Sequence, residues 1–268
     1  MTKLALVTGG ARRIGREICK TLSDGGYNVL IHANKSLEEA EQLCAEIQKD
    51  SASGCKAQVI QADFFAPNAA NSFINAVKVH NLTLQRGGLD ALIHNASIYE
   101  ATPAQFYENS INRENSQLDA LLSSELSLLR RMLLLHMEIP HQLTLGLLPE
   151  LRAVHGGVIA LTDTSLGQSW SHRSAYTSSK AGLQQLMKNF AGDLAPAVRC
   201  NCVSPGPILQ WADANVVEDF SAITGRVPLQ RAGTPREVAT AVHFLLENKY
   251  ITGHTLVVDG GISLRSAE

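Results

Sequence analysis

The sequence has no block of one charge sign. Its 23 basic and 25 acidic side chains leave a formal charge of -2. A polyanion would find no electrostatic footprint, so nucleic acid is not an expected partner. A long apolar run is missing as well. Near the start only Leu4 to Val7 is apolar before glycine, too short for a secretory core. The most apolar stretch, Leu126 to Leu151, is broken by Arg130, Arg131, Glu138 and Pro140, so no membrane span is expected. There is no C-x-x-C pair. Cys19, Cys44, Cys55, Cys200 and Cys202 form an odd set that fits buried or free thiols better than disulfides or zinc, and the nine histidines show no ligand spacing. Repeats, low-complexity tracts and Pro/Gly/Ser linkers are absent. A soluble, cytoplasmic chain of one domain over residues 1–268, without a metal, is the expectation, and 45% hydrophobic residues suit an α/β fold.

What is present is an alternation of short apolar runs and helical periods. Lys3 to Val7 reads as a strand, a glycine turn follows, and Ile14, Ile18 and Leu22 then recur at helical spacing. Gly25-Gly26 stops that helix, and Asn28 to His32 is a second strand. Leu37 to Asp50 is amphipathic through Leu37, Ala40, Leu43, Cys44 and Ile47, and Ala57 to Gln61 is a third strand. Leu89 to His94, Gly157 to Thr162, Val198 to Val203 and Thr255 to Val258 complete about seven strands. Such alternation predicts a Rossmann-type, doubly wound parallel sheet with helices on both faces. Residues 96–115 and 206–224 mix aromatic and polar side chains beyond strand ends, where an open α/β sheet binds ligands, so they are the expected walls of a substrate pocket.

The first turn holds Gly9, Gly10, Ala11, Arg12, Arg13, Ile14 and Gly15. Small residues there let the backbone approach a pyrophosphate at a helix start. The spacing G-x5-G is not the G-x-G-x-x-G fingerprint, and a tight turn with no ligand would use the same residues. A site selective for NAD would place an acid near the end of the second strand. Here the chain reads His32, Ala33, Asn34, Lys35, Ser36, with no carboxylate before Glu38. Lys35 with Arg12 or Arg13 can neutralise a ribose 2'-phosphate and Ser36 can donate to it, which favours NADPH over NADH.

Tyr176 and Lys180 stand at i and i+4 of a helical segment, so they share a face. A cation beside the phenol would lower its pKa and make it a usable proton donor and acceptor. A helix-surface pair has the same spacing, but the glycine turn and Asn95-Ala96 after the fourth strand supply a context for chemistry.

With these landmarks in order, the sequence resembles the short-chain dehydrogenase/reductase family over essentially its whole length. The matching residues are Thr8 to Gly15, Asp63 with Phe64 after the third strand, His94-Asn95-Ala96-Ser97, Tyr176 with Lys180, Pro205-Gly206 after the sixth strand, and Asp259-Gly260-Gly261. The resemblance implies a nicotinamide cofactor, Tyr176 as proton donor, Lys180 on the ribose, Asp63 at adenine, Asn95 lining the cofactor channel, and a homotetramer.

The departures from that family narrow the substrate. Most members carry a serine about thirteen residues before the tyrosine; here Asp163 stands there, unless a slipped register gives the role to Thr164 or Ser165. A hydroxyl suits a polarised carbonyl, whereas a carboxyl beside a tyrosine suits a heterocycle with basic ring nitrogens. With Arg13 and Asn95-Ala96-Ser97-x-Tyr99, this replacement resembles the pteridine reductases. The resemblance places a pterin between the nicotinamide and the ring of Tyr99, with Ser97 and Arg13 touching pterin or pyrophosphate. His136, by register with Pro140, stands where the family keeps an asparagine that holds a relay water. It resembles the bacterial dihydromonapterin reductases there, as a relay or as filling of the helix interface. The expected activity is NADPH-dependent reduction of dihydropterins, and possible substrates include dihydrobiopterin, dihydromonapterin and dihydrofolate. The catalytic set is Asp163, Tyr176 and Lys180, and the substrate set Arg13, Ser97, Tyr99, Asp163 and Tyr176. The alternatives are a carbonyl or 3-ketoacyl reductase, and a non-catalytic dinucleotide-binding sensor.

Overall fold

The structure is a computed structural model and describes residues 2–50, 54–101, 115–166, 169–208 and 225–264. Its strands are β1 (Lys3–Val7), β2 (Tyr27–Ala33), β3 (Ala57–Gln61), β4 (Ala91–His94), β5 (Gly157–Leu161), β6 (Arg199–Pro205) and β7 (Thr255–Val258). They form one parallel sheet in the order β3-β2-β1-β4-β5-β6-β7. The helices are α1 (Arg13–Asp24), α2 (Leu37–Asp50), α3 (Ala69–Val79), α4 (Asn81–Arg86), α5 (Asn115–Leu133), α6 (Ile139–Gly146), α7 (Leu148–Ala153), α8 (Ser174–Leu194) and α9 (Pro235–Glu247). A π turn, Leu134–Glu138, joins α5 to α6.

Successive side chains of a strand point to opposite faces, and here both faces are covered. Leu4 and Leu6 of β1, Leu92 of β4, and Val158 and Ala160 of β5 pack with Phe73, Leu143, Leu183 and Met187. Their neighbours Ala5, Val7, Ile93, Ile159 and Leu161 pack with Ile18, Leu22, Leu43, Val242 and Leu245 on the other side. This explains why the strands read as continuous apolar runs rather than alternating ones. The expected seven-strand doubly wound sheet is observed. Its strand order reverses between β1 and β4, the place where such sheets open a ligand crevice beyond the carboxyl ends of their strands. No helix among the described residues is long and apolar enough to cross a membrane.

Candidate active site

Three side chains hold the crevice between β1 and β4 in shape. The Thr8 hydroxyl donates to the Ile93 carbonyl (3.1 Å) and accepts from the amides of Asn95 (3.0 Å) and Ala96 (3.1 Å). Asn95 Nδ2 donates to the carbonyls of Thr8 and Gly9, each at 2.9 Å. The Gly9 amide donates to His32 Nδ1 at 3.0 Å, so the other ring nitrogen, 3.1 Å from the Ala62 carbonyl, carries the proton. Glycine is required in this turn. Gly9 sits at φ +62, and a Cβ on Gly15 would stand 2.2 Å from the Gly9 oxygen and 2.5 Å from Asn95 Nδ2. Arg13 is also left-handed, at φ 53.

His32, Phe64 and Asn95, three of the residues expected at the cofactor, are engaged with the turn itself. His32 is buried, stacks on Phe64 at 4.2 Å between centroids and spends both nitrogens on backbone, so it and the buried Phe64 ring support the turn from beneath. Burial pushes the imidazole pKa down to about 4, which keeps it neutral. The Asn95 amide is likewise bonded to the turn carbonyls, while the residue stays partly exposed beside the turn.

The other cofactor candidates lie around the opening. Arg12, Arg13 and Lys35 are exposed at the ends of β1 and β2, with Asn34 and Ser36 partly buried beside them. Arg12 Nη1 is 3.9 Å from Glu39. Asp63 Oδ1 accepts from Asn34 Nδ2 (3.2 Å) and from the Phe65 amide (3.0 Å), fixing the exit of β3. α1 begins at this turn, so its N-terminal end lies beside the glycines and the cations. Pro205 is buried and the Gly206 amide donates to Val258 at 3.0 Å, closing the sheet end nearest the reacting groups. A glycine cradle, a helix N-terminus and cations fit a phosphorylated dinucleotide.

At the reacting end, α8 begins at Ser174 and brings Tyr176 and Lys180 to the carboxyl end of β5. The Tyr176 hydroxyl donates to Asp163 Oδ2 at 2.8 Å, and Asp163 Oδ1 accepts the Ser165 amide at 2.8 Å. Of the three candidates, it is Asp163 that meets the phenol. Thr164 turns away to the Pro205 carbonyl, and the buried Ser165 hydroxyl has no partner. Lys180 is buried and donates to the Leu161 carbonyl at 2.9 Å, with its pKa lowered to about 8 by burial.

The expected effect of Lys180 on the phenol is not what this arrangement produces. Burial and the Asp163 carboxylate hold the Tyr176 pKa well above its ordinary value, and only Arg173 opposes them among the main influences. The cause is geometric. The ammonium is tied to Leu161 and stands 5.8 Å from the centre of the Tyr176 ring, while the carboxylate is in hydrogen-bond contact with the hydroxyl. In the ligand-free protein Tyr176 is a protonated donor.

Tyr99 packs edge-on against Tyr176, 4.9 Å between centroids at 81°. Sequence reasoning missed what holds it. Arg173, buried at the start of α8, donates through Nε to the Tyr99 hydroxyl at 2.8 Å and places its guanidinium carbon 4.5 Å from the ring centre. Ser97 is exposed beside this group and is bonded to His136, whose ring packs edge-on to Tyr176 with 5.8 Å between centroids. Ser179, also missed, bonds the other nitrogen of His136. Of the expected pocket walls, residues 102–114 and 209–224 lie outside the described residues. No His, Cys, Asp and Glu group among the described residues could hold a metal.

Comparisons with known proteins place this geometry. The family described as enoyl-(acyl carrier protein) reductase matches residues 9–263. Carbonyl reductase family member 4 of Xenopus tropicalis is 32% identical over 271 residues, covering 99% of this chain and 100% of that protein. The 3-oxoacyl-[acyl-carrier-protein] reductase FabG of Staphylococcus aureus (strain N315) is 31% identical, covering 98% of each. Among solved structures, FolM alternative dihydrofolate reductase 1 from Brucella suis, in complex with NADP, superposes with a TM-score of 0.80 at 29% identity, covering 100% of this chain and 97% of that one. The chain belongs to the short-chain dehydrogenase/reductase family of oxidoreductases.

Proposed function

We propose that the protein is an NADPH-dependent reductase of dihydropterins. The observation that carries this reading is the Asp163 carboxylate accepting the Tyr176 hydroxyl at 2.8 Å, at the position where the resemblance leads one to expect a serine. The likeness to a dihydrofolate reductase in complex with NADP supports both the cofactor and the substrate class. When bound, NADPH would supply the hydride to a ring carbon of the substrate. Arg12, Arg13 and Lys35 neutralise its phosphates, Ser36 donates to the 2'-phosphate, and the first-turn amides of α1 face the pyrophosphate. Lys180 holds the ribose, and Asp63 and Pro205-Gly206 border the bound dinucleotide.

The chain's own residues handle the proton. A carboxylate 2.8 Å away penalises a bare phenolate, because two anions cannot share that space. Tyr176 therefore gives its proton to a ring nitrogen only as a solvent proton taken up at Asp163 replaces it, so the acid is the pair, resupplied from water, rather than the phenol alone. The π-face of Tyr99 and the Ser97 hydroxyl orient the flat ring, and this positioning accounts for much of the acceleration. The homotetramer implied by the resemblance and the cytoplasmic location expected from the sequence belong to the same proposal.

The test is NADPH oxidation with dihydrobiopterin, dihydromonapterin, dihydrofolate, a simple diketone and a 3-oxoacyl thioester. Turnover of the pterins is expected. Turnover of the diketone or the thioester alone would overturn the reading in favour of a carbonyl or 3-oxoacyl reductase, which the similarity to carbonyl reductase and FabG supports. Binding of NADPH without turnover of any of them would leave a non-catalytic sensor.

A further inference from the structure

The helix bearing His136 is widened where the histidine sits. The chain runs from α5 through the π turn Leu134–Glu138 into α6 without leaving helical backbone angles, and the Ile139 amide bonds the carbonyl five residues back, at Leu134. Pro140 accounts for this. It has no amide hydrogen, and its ring would meet the carbonyl four residues earlier, that of His136. The opened turn places the His136 ring at 1% exposure between two elements of the site.

Every polar atom of that ring is engaged. His136 Nε2 accepts the Ile98 amide at 3.3 Å and lies 2.9 Å from Ser97 Oγ. Nδ1 lies 2.8 Å from Ser179 Oγ, whose hydroxyl donates to the Tyr176 carbonyl at 2.7 Å. A nitrogen that accepts from a backbone amide carries no proton, so the proton is on Nδ1. The far end requires the same. Ser179 has already committed its one hydrogen to Tyr176 and can only accept from the ring. The Ile98 amide and Ser179 thus select the same tautomer, in which the Ser97 hydroxyl turns to Nε2 at 2.9 Å rather than to the Ile98 carbonyl at 3.3 Å.

We propose that His136 is a neutral crosslink of fixed tautomer, a positioning residue that holds the Ser97–Tyr99 segment at a set height over Tyr176, and that it does not relay protons. This deepens the reading of the Tyr176 site given above and rests on it. The crosslink joins the loop after β4 to α8, so the ring of Tyr99 and the hydroxyl of Ser97 are referenced to the same helix that carries the phenol. The charged and titratable groups facing the imidazole are Lys180 and Tyr176, and with burial the Lys180 charge keeps the ring from protonating.

Two measurements test it. The first needs no substrate, so its outcome is separate from that of the pterin reading: nitrogen NMR of the histidine-labelled, full-length, ligand-free protein between pH 5 and 9. Here Nδ1–H and no titration are expected for His136, assigned by loss of its signal in His136→Gln. An Nε2–H ring, or a midpoint within that range, would overturn the proposal. The second measurement compares His136→Gln and Ser179→Ala using whichever substrate the wild type turns over. Losing one or two hydrogen bonds of ~1 kcal/mol each should raise KM by ~5- to 30-fold. The pH profile of kcat should keep its limbs, and NADPH affinity should stay within ~3-fold of wild type. A displaced limb with an unchanged KM would instead identify a relay. Should His136→Gln fail to fold, Ser179→Ala, which removes only the far anchor, and the wild-type histidine spectrum decide the question, the signal then assigned from the labelled Ser179→Ala protein.

Discussion

Replacing Asp163 by asparagine separates the pterin reading from a carbonyl one, because the change keeps size and an acceptor oxygen while removing the charge and the capacity to take up a proton. The bond lost is charge-assisted, from the Tyr176 hydroxyl to Oδ2 at 2.8 Å. Hydrogen bonds to charged groups contribute roughly 1.5–3 kcal/mol, whereas neutral ones contribute ~1. Positioning alone therefore loses ~1–2 kcal/mol, or about 5- to 30-fold in rate. A ring nitrogen also needs a proton from the Asp163–Tyr176 pair, and a placed acid of this kind contributes typically 10²–10⁴-fold. For dihydrobiopterin, kcat should fall by at least ~100-fold in steady-state NADPH oxidation, mostly in kcat rather than KM.

The same substitution makes a second, opposite-signed prediction. Asp163 raises the Tyr176 pKa both by its charge and by its hydrogen bond. Without them the phenol should titrate at lower pH in an ultraviolet difference titration of the ligand-free protein, even as the enzyme loses pterin turnover. A diketone, whose carbonyl asks only for the hydroxyl, should lose less than ~10-fold in Asp163→Asn, and Asp163→Ser should reduce it better than wild type. The reasoning is refuted if Asp163→Asn reduces dihydropterins within ~3-fold of wild type, or if its phenol titration moves upwards.

Other perturbations test the supports of the site. His32 and His94 are buried with pKa values lowered from 6.5 to about 4 and about 3, so between those values and 6.5 the unfolded chain binds protons that the folded one does not. Stability is then complete above pH 6.5 and falls as pH drops, by ~1.4 kcal/mol per pH unit for each histidine. Melting temperatures between pH 7 and 5 should show it, and a flat profile would contradict the burial argument. Gly15→Ala drives a Cβ to 2.2 Å from the Gly9 oxygen. It should cost ~2 kcal/mol, lower Tm by ~4–8 °C and weaken NADPH binding measured by fluorescence. Lys35→Glu should raise KM for NADPH by at least ~10-fold and lower it for NADH, while equal effects on both would remove Lys35 from the 2'-phosphate. Tyr99→Phe frees the ring from the Arg173 Nε bond but keeps the π-face, so KM for the pterin should rise by less than ~5-fold, against ~30-fold or more for Tyr99→Ala.

How much of this was legible in the chain depends on whether a feature has a period. Both faces of the sheet are buried, so strands such as Lys3–Val7 and Gly157–Leu161 appear as unbroken apolar runs, and a four-residue spacing places Tyr176 and Lys180 on one helical face. Periodicity says which residues share a face, but it does not say how deep a side chain lies or which atom it meets first. His32 ends a strand where a cofactor contact is reasonable, yet the turn closes over it and takes its ring as an acceptor. Lys180 shares the face of Tyr176, yet the carbonyl at the end of β5 captures its ammonium before it can act on the phenol. Arg173 carries no spacing signal, because its partner Tyr99 is 74 positions away in the sequence. His136 is the instructive case, since its signal was local. A proline four residues after a histidine, within an apolar helix, both removes an amide hydrogen and crowds the histidine carbonyl. Pro140 reads in the sequence as an interruption of an apolar run. In the fold it widens the turn that delivers an imidazole to the active site.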